Sequence, residues 1–182
     1  MMRPMLSLIS LLLVFLLAGC GGDTGTEAER SAVPTASAAV QMAEVMPEDF
    51  AFSVRFGITG KNEINTFTHT VTKDLVTQGT AQADLTFTDS EMADIYARLR
   101  EINLLRELNL EPVRQGCGQT PYDEEHWQIR LGGQELAFDW SEENCEVAED
   151  AKRLKEVRNY IFELVKNKPA YLKLPEAEGG YD

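Results

Sequence analysis

The stretch His126-Trp127-Gln128-Ile129-Arg130-Leu131-Gly132-Gly133-Gln134-Glu135-Leu136-Ala137-Phe138-Asp139-Trp140 decides the fold. Two runs of alternating apolar and polar residues meet at Gly132-Gly133, and a two-residue glycine turn favours the primed geometries whose twist suits a β-hairpin. With Leu131 opposite Gln134, Ile129 faces Leu136 and Trp127 faces Phe138. The large apolar side chains then share one face, and a slip of a single residue would carry one strand's set to the other side. The hairpin thus offers one face to a core and the other to solvent.

Working outward, Thr88-Asp89-Ser90-Glu91 is a capping box, and Met92, Ile95, Leu99 and Ile102 continue it as the apolar stripe of a helix. Ahead of it, Phe50, Phe52, Val54 and Phe56 alternate along a half-buried strand, and Gly57 to Asn62 supply a turn. A Thr-rich second strand is expected from Glu63 to Lys73, and after Gly79 a third carries Ala81, Ala83, Leu85 and Phe87. Asn103 to Thr120 reads as an irregular loop. Behind the hairpin, a helix is expected from Glu146 to Lys166, with Val147, Ala151, Leu154, Val157, Ile161 and Leu164 inward. Pro169 stops it, Tyr171 to Leu174 pack back, and Gly179-Gly180-Tyr181-Asp182 form a loose end. The order βββαββα predicts an α+β fold: an antiparallel sheet of about five strands with two helices packed on one face.

At the N-terminus, Arg3 precedes an apolar run from Leu6 to Leu17, which leads into Leu17-Ala18-Gly19-Cys20. The run falls short of the ~20 residues of a spanning helix and suits a signal peptide. This stretch resembles the lipobox of bacterial lipoproteins. The resemblance implies a cut before Cys20, lipid on the Cys20 thiol, and display on the extracytoplasmic face of the cell membrane. Two or three acyl chains hold a protein stably where one does not. The expected organisation is a signal peptide at 1–19, the lipidated cysteine and a flexible tether at 20–47, and a single α+β domain at 48–182. The tether reading rests on a segment rich in Gly, Ala, Ser and Thr with no aromatic residue. The stretches Phe52 to Leu75 and Leu174 to Tyr181 resemble small uncharacterised lipoproteins of Gram-positive spore-forming bacteria, which implies anchoring and no particular activity.

A formal net charge of −13 opposes nucleic acid and anionic head groups. Cleavage before Cys20 would remove Arg3 and no acid, making the remainder more negative still. With Cys20 lipidated, Cys117 and Cys145 are an even pair in an oxidising compartment, and a bridge between them is expected. Closing that loop is worth roughly 3–4 kcal/mol on the chain-entropy account.

Two histidines, His69 and His126, are few ingredients for catalysis, and no nucleophile, zinc or phosphate-loop motif accompanies them. The expectation is a non-catalytic binding or interaction domain, with an envelope protein or small ligand as partner, the membrane reached through the lipid, and no cofactor beyond that lipid. The sequence carries no signal for an oligomeric state. The rival reading is an envelope enzyme or metal-binding protein that uses Asp123, Glu124, His126 and Asp139, where carboxylates suit calcium and the histidine shifts preference toward zinc. A third is an inhibitor-like module presenting hairpin tips, an analogy of fold alone.

Overall fold

The computed structural model describes residues 40–114 and 116–182. Cys20, the expected lipobox and the expected tether as far as residue 39 lie outside the described residues. The elements are β1 (Ala51–Gly57), β2 (Asn62–Asn65), β3 (Thr70–Asp74), β4 (Thr80–Asp84), α1 (Asp89–Ile102), β5 (Glu124–Leu131), β6 (Gln134–Ser141), α2 (Glu149–Lys166) and a single-turn α3 (Pro169–Leu172). The six strands form one antiparallel sheet in the order β4-β3-β2-β1-β5-β6.

The register follows from side-chain alternation. Opposite residues share a face, so Phe52, Val54 and Phe56 of β1 stand beside Ile129, Trp127 and Glu125 of β5. On the other flank, Val54 stands beside Ile64, and Ile64 beside Val71. Except for Glu125, these side chains are buried apolar groups in one core with Ile95, Tyr96, Leu99 and Ile102 of α1 and Ala151, Leu154, Val157, Ile161 and Val165 of α2. Tyr96 packs edge-on against Phe50, and Phe162 edge-on against Phe56. The hairpin register is Leu131 with Gln134, Ile129 with Leu136 and Trp127 with Phe138, as the alternation requires. Gly132 and Gly133 both take positive φ (56° and 77°), which is the demand a primed turn makes on its two central residues.

Among the described residues the sheet has six strands, close to the five or so expected. The Thr-rich segment is two short strands, because Asn65 builds a turn inside it: its Oδ1 accepts from the amides of Phe67 and Thr68 at 2.9 and 3.1 Å. His69 completes the reversal at φ 56°. Thr66 fastens the bend to β1, its Oγ1 accepting from the Phe52 amide and donating to the Phe52 carbonyl.

α1 begins at the capping box, with Thr88 Oγ1 accepting from the Glu91 amide and Glu91 accepting from the Thr88 amide. Burial works to raise the Glu91 carboxyl pKa, but Lys168 at 2.6 Å and the Thr88 amide outweigh it and hold the group low. α2 starts at Glu149, three residues later than the charge pattern suggests, and buries Val165 more fully than Leu164. Asp150 in its first turn is gripped by Arg106, whose Nη1 donates to Oδ2 at 2.9 Å and whose Nη2 reaches Oδ1.

Residues 40–47, read as tether from composition, pack onto the domain. Met42 is 4% exposed, its amide donates to Asn103 Oδ1, and Tyr96 Oη donates to the Ala43 carbonyl. The C-terminal residues are not loose either. Tyr181 Oη donates to Asp74 Oδ2, and Thr77 Oγ1 donates to the Glu178 carbonyl at 2.9 Å. The Cys117–Cys145 disulfide is present with Cα atoms 5.6 Å apart, and it ties the irregular loop to the chain leaving β6. Among the described residues no helix is long and apolar enough to cross a membrane.

Candidate functional site

The helices cover one face of the sheet; the other face carries the even residues of β5 and their cross-strand partners. One row runs Thr72, Glu63, Arg55, His126, Asp139, and the next Thr70, Asn65, Ser53, Gln128, Ala137. Polar residues dominate both rows, with Ala137 the one apolar member, so this face is built for water or for a polar ligand.

The acidic run Tyr122 to His126 does not act as a unit, because strand alternation splits it. Glu124 and His126 lie on the open face. Glu125 points the other way and is fully buried, where its Oε1 accepts from Arg158 Nε at 2.7 Å and its Oε2 from Trp127 Nε1 at 2.9 Å. Burial pushes the Glu125 carboxyl above the ordinary range, against the opposing pull of Arg158 and Trp127. The Arg158 guanidinium also lies over the Phe56 ring at 4.8 Å. Asp123 turns toward α2, 3.7 Å from Lys155, which also pairs with Glu142.

Of the four residues that could suggest a metal, three share the open face and Asp123 is removed to Lys155. His126 Nδ1 is 2.6 Å from Asp139 Oδ1, and Nε2 is 3.7 Å from Glu124 Oε2. Both ring nitrogens are therefore turned to carboxylates, Nδ1 within hydrogen-bond reach of Asp139 and Nε2 farther from Glu124. Gly60, at φ 57°, lets the β1–β2 turn lie against this group: a Cβ there would stand 2.9 Å from Glu124 Oε1. The Gly60 carbonyl accepts from Arg55 Nε at 3.2 Å. Among the described residues, no group of three or more His, Cys, Asp and Glu side chains is placed to hold a metal ion.

Beside this row the open face sinks into a groove of about 440 Å³, lined by Asn65, Phe67, Gln128, Arg130, Glu135 and Ala137 among others. Phe67 leans from the β2–β3 turn over the sheet, and the Arg130 guanidinium lies 5.1 Å from its ring. Arg130 in turn donates to Glu135 at 3.1 and 3.3 Å. These three side chains make one wall of the groove. Asn65, Gln128 and small Ala137 line the rest together with the apolar Ile129 and Leu136.

No family model, curated protein or solved structure matches the chain. The chemistry of the surface itself therefore carries the functional reading. The alternation of β5 already distinguishes Glu125 from its neighbours, since it shares parity with Trp127, Ile129 and Leu131. Arg158 was findable too: it falls one turn beyond Leu154 on the buried stripe of α2. Phe67 and the groove had no such signal, because they depend on where the Asn65 turn places a ring.

Proposed function

We propose that this chain is a membrane-anchored extracytoplasmic lipoprotein, held by lipid on Cys20, whose domain binds a polar partner of the envelope without transforming it. One observation carries the binding part: a polar sheet face that no helix covers among the described residues, with a groove walled by Phe67, Arg130 and Glu135. A rigid sheet with one face sealed by helices presents such a groove at fixed geometry, and this suits recognition. The anchoring part rests on the lipobox residues. Because Met42 packs onto the domain, the stretch left to serve as a tether would be shorter than its composition suggests, and the domain would sit closer to the membrane.

Two measurements test the reading. Growth with labelled palmitate and mass spectrometry of the mature N-terminus should give an acylated Cys20, and Cys20→Ser should abolish the label; a mature chain starting elsewhere, or without acyl mass, would sink the anchor. For binding, the purified protein should retain a specific envelope component, and Phe67→Ala with Gln128→Ala should release it without changing the melting temperature by more than a few degrees. Retention unchanged in that double variant would show that the groove is not the recognition surface.

A further inference from the structure

Among the described residues the sheet ends on β6, and its outer edge has chemistry of its own. Because the Gly132-Gly133 turn closes the hairpin, Leu131 and Gln134 form a hydrogen-bonded pair, and such pairs recur every second residue. The main chain of Leu136, Phe138 and Trp140 therefore points inward to β5. That of Glu135, Ala137, Asp139 and Ser141 points away from the sheet. The same bookkeeping is visible across β1, where the Phe52 carbonyl accepts from the Thr66 amide on the β2 side, leaving Ser53 and Arg55 to bond β5.

An eight-residue edge with four outward peptide groups is a template for another strand. Folded proteins blunt such edges with proline, charged side chains (lysine above all), bulges or covering elements, and the charges on β6, Glu135 and Asp139, are of one sign. β6 has no proline, no lysine, no glycine and no break in its pairing with β5. The opposite edge, β4, is shorter and has α3 packed beside it. Side chains on the outward-bonding residues include Glu135 and Asp139, 75% and 70% exposed, while Leu136 and Phe138 on the helix side remain partly open.

We propose that β6 is a strand-addition site, and that its occupant is an extended segment of a partner protein in which basic and apolar residues alternate. Strand addition draws affinity from the main chain and specificity from alternate side chains. An incoming antiparallel strand sets its basic residues beside Glu135 and Asp139 on the open face. Its apolar residues then continue the row of Leu136 and Phe138. A second copy of this chain fits worse. Centred on Ala137, self-pairing sets Glu135 against Asp139; centred on Phe138, it brings the two Asp139 side chains into diagonal contact. Like charges opposed across strands destabilise a sheet, and two chains of net charge −13 repel at range as well. This inference stands on the edge and not on the groove, so either can fail alone.

The test is hydrogen exchange at single-residue resolution on the full chain in detergent, with an acetylated and amidated Lys-Val-Lys-Val-Lys-Val-Lys-Val peptide as probe. Amides of Glu135, Ala137 and Asp139 should become at least tenfold more protected, while those of Leu136 and Phe138, already bonded to β5, should not change. A peptide of equal charge with proline at alternate apolar positions should give no protection. Ala137→Pro removes the central outward N–H without taking a hydrogen bond from β5, and should abolish the effect. Glu135→Lys with Asp139→Lys leaves the main chain intact and should shift protection to a Glu-Val probe. Equal protection by the proline control would reduce the contact to charge alone and overturn the inference. Absence of protection would do the same, as would protection that grows with protein concentration in the absence of peptide, which would name the second copy as occupant.

Discussion

Arg158→Met leaves the Glu125 carboxylate sealed in the core with Trp127 Nε1 as its single remaining donor among those described. The intact pair has its charged atoms 2.7 Å apart, at 8% and 0% side-chain exposure. At an effective dielectric near 20, charges this close attract by roughly 4–6 kcal/mol, of the same order as the cost of taking both out of water. The pair is thus near balance, but the broken pair is not. Removing the arginine should cost about 3–5 kcal/mol, or roughly 10–20 °C in melting temperature for a domain of this size. Urea unfolding followed by the fluorescence of Trp127 and Trp140, the chain's two tryptophans, reads it directly.

The sign of the pH dependence sharpens the test. Glu125 has its folded pKa raised, so the folded protein binds more protons than the unfolded chain in the window above the ordinary Glu value, and stability falls as pH rises through it. In Arg158→Met that window should widen, and the lost stability should return by about 1.4 kcal/mol for each pH unit of acidification within it. Glu125→Gln combined with Arg158→Met removes the charge but keeps an acceptor for Trp127, and should recover at least half the loss. A single variant that loses under ~1 kcal/mol, or a loss that does not shrink on acidification, would refute the reasoning that the buried charge is the cause.

Replacing Cys117 and Cys145 by serine should cost about 3.6 kcal/mol on the chain-entropy account, with faster hydrogen exchange around residues 113–119 and little change in β1 to β4. Asp150→Asn should lose roughly 1–2 kcal/mol, discounted for the partial exposure of Arg106. Because the Arg106 hydrogen bonds hold Asp150 low, that contribution is present above the ordinary Asp range and disappears as pH falls through the folded value, so acid unfolding should shift toward neutral in the variant. Asp49→Ala should speed exchange of the Gly132 and Gly133 amides, which donate to Asp49 at 2.8 and 2.7 Å; unchanged exchange would show the carboxylate is not what steadies the turn. Val76→Gly should raise stability by about 1 kcal/mol, since a β-branched residue at φ 61° carries strain that glycine does not; a lower melting temperature would mean the Val76 side chain matters more than its backbone.

The elements most legible in the sequence were those with two agreeing signals. The hairpin had both its glycine turn and its alternation, α1 had both a capping box and a stripe, and the disulfide had both cysteine parity and the placement of Cys117 and Cys145 on either side of the hairpin. What escaped had one signal or a misleading one. The Asn65 turn contains no glycine or proline and interrupts a run of β-formers, so propensity carried the strand straight through it. Met42 sits in a composition typical of linkers, and its burial depends on a slot at the end of α1 that no local pattern announces. Tyr181 follows two glycines, yet its hydroxyl finds Asp74 from more than a hundred residues away. At the candidate site, the residues of the open face were readable from alternation, while the depth of the groove was not.

The strand order has a kinetic consequence. β2, β3 and β4 are added to β1 through short turns, and β6 to β5 likewise, so each half of the sheet can form from neighbours in the chain. The β1–β5 ladder alone must close a loop of about 65 residues, at an entropic cost near 4 kcal/mol before any contact repays it. The disulfide brackets β5 and β6 and leaves that loop as long as before. Oxidation would thus preorganise the hairpin without hastening its docking. The docking residues, Phe52 with Ile129 and Val54 with Trp127, are where substitutions should slow folding more than they speed unfolding.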